Sequence, residues 1–249
     1  MFRAIHLAAA VTLLCCVPAR AQDMMGLASS YGSSVFQQGV IAMGKPTLEA
    51  GQRSVLGDGT AEAPTDEQLA ALRFEFSDSV SRRVREGIAE RIVADIGESA
   101  PRDEVEALFA ADELWRIFDG MLSRWGYSSA NLADVMTAYY VGTWEIVNDR
   151  DAAKIRGGEE GVKAVRNRLA VALASAPGVR DMSDAEKQQT AETLGHLLVL
   201  AAAARQQAAR TGSAADMRAI RSRVRESLLA QGIDLRELRL TADGFEPAS

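Results

Sequence analysis

Beyond Cys16 the chain has no cysteine. Cys15 and Cys16 both lie ahead of a small-x-small motif, Ala19-Arg20-Ala21. Residues 1–21 read as a secretory signal peptide. Arg3 supplies the positive charge, and Leu7–Val17 is an apolar run broken only by Thr12, too short to span a bilayer. Cleavage after Ala21 predicts a periplasmic or secreted chain with no disulfide, thiol nucleophile or thiolate metal site. Such a domain must rest on its hydrophobic core, for which about 180 ordered residues suffice. Histidine is as scarce: removal of His6 leaves His196 alone, which excludes a multi-histidine metal centre. Losing Arg3 and Arg20 leaves 26 basic against 34 acidic residues, a net charge of −8, which makes a poor nucleic-acid binder. The longest later apolar run, Leu197–Ala204, is eight residues, so no transmembrane segment is expected after cleavage.

What is present falls into two materials. Residues 22–64 hold seven glycines and scattered serines with no lasting apolar period, and they predict a flexible leader, with local order conceivable only around Val35–Met43. Residues 65–249 carry helical patterning almost throughout. Thr65-Asp66-Glu67-Gln68 is a capping box that opens the folded region. Phe74 and Phe76 alternate with Glu75 as a brief extended segment. Val80, Val84, Ile88, Ile92 and Ile96 then repeat every four residues, and Gly97 follows them. Pro101 opens the next helix, with a break expected near Ala110–Asp112.

The richest stretch is Asp112–Asp149, which predicts a helix, a turn at Gly126–Ser129 and a second helix over about Asn131–Val147. It holds seven of the thirteen aromatic residues of the mature chain, all three tryptophans among them. Large rings dominate core energetics, so the fold should centre here. The second helix is apolar almost all round, as a helix in the middle of a bundle must be, and Gly142 inside it marks a close helix–helix approach. Further helices are expected over about Glu159–Ala174, from the capping box Ser183-Asp184-Ala185-Glu186 to about Ala209, and from Ser213 to Gly232. Asp234–Leu240 forms a short final segment, with Phe245 as an anchor. The reading is an all-α single helical bundle of six or seven helices, centred on the hairpin of residues 112–149.

Trp125-Gly126-Tyr127, Asn131-Leu132-Ala133-Asp134, Ala185-Glu186-Lys187-Gln188, Gly232-Ile233-Asp234, Leu240-Thr241 and Gly244-Phe245 together resemble a family of exported bacterial proteins known only as a domain of unknown function. The resemblance covers about Leu72 to Phe245. It implies a helical periplasmic or secreted protein, and it implies no activity and no functional residues.

The chemistry-bearing residues are few. His196 lies in the most apolar part of the longest helix, where a hydrogen-bonded core histidine is the favoured reading over a general base. Paired carboxylates are the one realistic catalytic option, as in glycan hydrolysis, and Glu113 and Glu145 of the hairpin are the candidates. Asp134 and Glu145 share a helix face but lie ~16 Å apart along the axis, too far for a dyad. Trp115, Trp125, Tyr139, Tyr140 and Trp144 are the candidate ligand-binding set, and core packing competes for most of them. One of the adjacent Tyr139 and Tyr140 is expected to be exposed. The arginines around 205–225 read as a solvated helix face, with an anionic envelope surface as the functional alternative. No catalytic residue, metal ligand or cofactor is assigned. The leading expectation is a non-enzymatic exported domain that binds a protein or envelope component. The alternatives are a small-ligand carrier using the aromatic hairpin and, below it, a carboxylate-dependent glycan hydrolase.

Overall fold

A computed structural model describes residues 44–56, 63–97, 102–110, 112–230 and 232–248. The predicted signal peptide and the leader up to Met43 lie outside them. Ten α-helices and one small antiparallel sheet follow in order: α1 (Gly44–Leu56), α2 (Asp66–Ala71), α3 (Asp78–Ile96), α4 (Arg102–Ala110), α5 (Glu113–Arg124), α6 (Leu132–Asn148), α7 (Gly158–Ser175), α8 (Pro177–Arg180), α9 (Asp184–Thr211), α10 (Ala214–Leu229), β1 (Leu238–Thr241) and β2 (Gly244–Pro247). The fold is all-α in character, a helical bundle as the periodicity predicts.

The helix starts are where the capping chemistry puts them. Thr65 and Ser183 each form a complete capping box, with Gln68 and Glu186 reaching back to the cap. The Asn131 side chain accepts from the N–H groups of Ala133 and Asp134. Gly126, just past α5, and Gly212, at the end of α9, take positive φ, which lets the chain leave the helix without a Cβ clash. The chain leaves α2 at Leu72, and Arg73, just ahead of the segment read as extended at Phe74–Phe76, forms an antiparallel β-bridge with Asn131. Phe74 N–H donates to Ala130 O and Leu132 N–H to Leu72 O, which ties this segment to the entry of α6.

α6 is the axis of the core. Fourteen of its residues, from Leu132 to Val147, are buried. Its main neighbours are α9, α7 and α10, and α5 leans chiefly on α9. The hairpin of residues 112–149 is therefore not a closely packed pair, because the wide apolar belt of α6 is covered by helices distant in sequence. Two glycines set the spacing. A Cβ on Gly142 would stand 2.7 Å from Leu198 Cδ1, and one on Gly195 would stand 2.7 Å from Trp115 and 2.8 Å from Phe118.

Three features depart from the sequence reading. Gly44–Leu56, inside the stretch read as leader, is helix α1, and it packs on α7 with Thr47, Ala50 and Val55 buried. Its two glycines and a proline disguised it, yet Gly51 is where a helix can lie flat against Tyr140. The chain end forms a β-hairpin with Leu240 opposite Phe245. Trp144 Nε1–H donates to Leu238 O at 2.9 Å, and Phe245 packs 5.9 Å from the Trp144 ring, so Phe245 is the expected anchor in an unexpected element. Just past the helix end expected near Ala174, Pro177 opens the single-turn helix α8.

Replacing Gly195 by Ala should lower stability by about 1–2 kcal/mol in chemical denaturation. The intrinsic helix preference for Ala is smaller than the cost of pushing two rings from α5. An equally stable or stabilised variant would refute the close α5–α9 approach. A chain beginning at residue 57 should be less stable than one beginning at residue 44, by on the order of 3 kcal/mol, because it loses the buried face of α1. Equal thermal midpoints would show that α1 adds nothing to the bundle.

Candidate ligand-binding pocket

Val141 and Gly142 lie three and four residues after Ala138 and four and three before Glu145, so the four share one face of α6. Two of them are small, and the space they leave is roofed by the last turn of α5. Met121, Leu122 and Trp125 come from that turn, and Tyr127 from the bend after Gly126. Thr137, Val162 of α7 and Leu198 of α9 complete the wall. The result is a half-open pocket with about 440 Å³ of empty space, adjoining solvent included. Trp125 and Tyr127 stand half-buried at its rim.

Glu145 is the one carboxylate on the wall. It is buried, and its Oε1 accepts from Ala152 N–H at 2.7 Å. Burial pushes its pKa up to about 7. The Ala152 hydrogen bond, Arg205 and Lys154 work against that rise, and Asp151 adds to it. The nearby cations are engaged elsewhere. Arg205 and Arg221 meet Asp149 at 3.2 and 2.7 Å, and Lys154 meets Asp151 at 3.1 Å. Tyr127 is fixed from outside the pocket. Arg166 lies over its ring at 5.2 Å and donates through Nε to Asp134 Oδ1 at 2.5 Å, and Asp134 Oδ2 accepts from Ser128 N–H. Burial pushes the Tyr127 phenol up to about 12.

Of the five aromatic candidates, Trp125 alone lines this pocket. Tyr139 and Tyr140 are both fully buried, in contrast to the expectation that one is exposed, because α6 is covered on every side. Their rings meet edge-to-face at 5.7 Å. Trp144 is buried beneath the terminal hairpin. Trp115 is half-buried among Phe76, Phe118 and His196. The aromatic set does not line one groove. Glu113 begins α5, half-buried and away from the pocket wall. Asp134 is tied to the turn by Ser128 N–H and to α7 by Arg166. The pocket residues that sequence reasoning passed over are mostly apolar, and the signal that marks them is the small pair Ala138 and Gly142 on the helix face that carries Glu145.

His196 is a core residue, as its surroundings in sequence suggest. Its Nδ1 lies 2.6 Å from Glu192 O, and a carbonyl only accepts, so Nδ1 carries the proton. Trp115 stacks on the ring at 5.9 Å. Burial pushes its pKa down to about 4, Arg85 adds to that, and the hydrogen bond to Glu192 O opposes it. Beside it lies a polar network that no spacing announced. Glu192 Oε1 accepts from Ser81 Oγ at 2.5 Å and from Gln188 Nε2 at 2.8 Å, and the Gln188 side chain also pairs with both backbone groups of Ser77. Burial raises the Glu192 pKa. The arginines of α10 are partly structural: Arg221 holds Asp149 and Arg225 forms a two-pronged pair with Asp234. Among the described residues no three His, Cys, Asp or Glu side chains are grouped to hold a metal ion, and no helix is long and apolar enough to cross a membrane.

Fold and pocket together describe an all-helical bundle with an acid-bearing apolar pocket beside its central helix. The chain belongs to the family of unknown function DUF6683, whose model matches residues 2–247. No curated protein and no solved structure matches it.

Glu145 and His196 tilt the pH profile of stability in opposite directions. The folded pKa of Glu145 is raised, from 4.5 to about 7, so its contribution is present below pH 4.5 and lost as pH rises through about 7. The folded pKa of His196 is lowered, from 6.5 to about 4, so its contribution is present above pH 6.5 and lost as pH falls through about 4. The Glu145→Gln variant should therefore gain up to about 3 kcal/mol at pH 8 relative to the parent and almost nothing at pH 4. Denaturation curves across that range test this, and a pH-independent difference would contradict it.

Proposed function

We propose that this chain is an exported, non-enzymatic binding domain, and that it works by holding a small, largely apolar ligand in the pocket between α5 and α6. The observation that carries the reading is the pocket itself, apolar walls around a single buried carboxylate, with two half-buried aromatic rings at the rim. Pockets of this composition are the usual form of small-molecule sites. The glycan-hydrolase alternative needs a second acid across the site, and the other hairpin acids are placed elsewhere: Asp134 pairs with Arg166, and Glu113 is off the wall. Export rests on the signal-like first twenty-one residues, and delivery to the envelope fits a carrier there.

A protein partner is favoured by a separate observation. Phe76 is 46% exposed and its ring lies 5.7 Å from Trp115, an aromatic edge that water covers at some cost.

Native mass spectrometry of the protein purified from its own envelope tests the carrier reading. The expected result is an added small mass that disappears on denaturation. It should also be absent from an Ala138→Phe variant, whose ring fills the pocket. Retention of the added mass by a folded Ala138→Phe protein would move the binding site elsewhere. A bare mass for both, with tryptophan emission unmoved by envelope extract, would sink the carrier reading.

A further inference from the structure

We propose that the pocket recognises an alkylammonium group, its apolar stem against Met121, Trp125 and Val141 and its ammonium on the Glu145 carboxylate. The inference rests on the reading of this pocket as a ligand site, and it names the ligand's chemistry. Every other side chain on the wall is uncharged, so Glu145 decides which charge is accepted. A buried carboxylate is normally paired or richly hydrogen-bonded. Glu145 forms no ion pair among the described residues. Ala152 N–H donates to its Oε1 at 2.7 Å.

The surrounding charges do not supply the missing partner. Asp149 takes Arg205 from α9 and Arg221 from α10, and Asp151 takes Lys154. On the α7 side, Arg166 is held by Asp134 and lies over the Tyr127 ring. A cation arriving with its own apolar stem would supply a charge-assisted hydrogen bond to a carboxylate that is itself buried. A carboxylate ligand would face like charge, and a neutral alcohol would leave the acid unpaired.

The raised pKa of Glu145 makes the idea measurable, since an ammonium binds the ionised carboxylate and must first displace its proton. Calorimetric or tryptophan-fluorescence titrations would use pentylamine, pentanol and pentanoate, with Nα-acetyl-lysine amide as a second source of the same group. Pentylamine should bind about tenfold more tightly at pH 8 than at pH 6, the change expected for a controlling group near pH 7. Pentanol and pentanoate should bind at least about tenfold more weakly than pentylamine at pH 8. Glu145→Gln should abolish both the preference and the pH dependence while keeping its circular dichroism. Acetyl-lysine amide binding as well as pentylamine would assign the site to protein side chains, and its failure would assign it to free amines. Pentanol or pentanoate equal to pentylamine, or pH-independent amine binding, would overturn the amine assignment and leave the pocket reading intact. Failure of every probe to bind, or binding unchanged in Ala138→Phe, would overturn both.

Discussion

A helix buried on every side constrains everything around it. α6 exposes almost nothing, so each of its faces must be met by another element: α9 and α7 on the broadest contacts, α10 and the terminal hairpin beyond them. Its backbone is satisfied internally, but its polar side chains must find partners within the protein. Thr137 and Thr143 turn back to carbonyls one turn earlier, Asn148 donates to Trp144 O and Leu235 O, and Asp134 takes Arg166. Glu145 has a backbone N–H where an ion pair would be usual, and the fully buried Tyr140 hydroxyl has no hydrogen-bond partner among the described residues. The pocket opens beside Glu145, so a buried carboxylate with no ion pair among the described residues faces that space.

The architecture was legible where local chemistry is decisive. Capping boxes at Thr65 and Ser183, the glycines at 126 and 212 and the four-residue stripe of α3 all act within one or two turns of chain, and the sequence displays them directly. The buried placement of His196 was legible for a similar reason, since it directly precedes the longest apolar run of the mature chain, Leu197–Ala204. Neighbour identity was not. The aromatic hairpin suggested that α5 and α6 pack on each other, whereas Gly195 lets α5 settle on α9. Helix periodicity says which face is buried and nothing about what buries it.

The site was legible in part. Glu145 and Trp125 stood out from the sequence and do meet at one pocket. Tyr139, Tyr140 and Trp144 stood out equally and belong to the core, because an aromatic residue carries the same signal whether it packs or binds. The pocket depends as much on Ala138 and Gly142, whose contribution is the volume they do not fill, and absent volume has no residue type. Helix α1 was hidden by composition: glycine and proline lower helix propensity, and tertiary contact with α7 outweighs them.

Both ends of the described chain rest on the same helix. α1 and the terminal hairpin each pack against α7, and α1 also touches β2. Mechanically, this places the two points of attachment side by side. A pull between the two ends would load α1 and the hairpin against α7 first, and would reach α6 through Tyr140 under α1 and Trp144 under the hairpin.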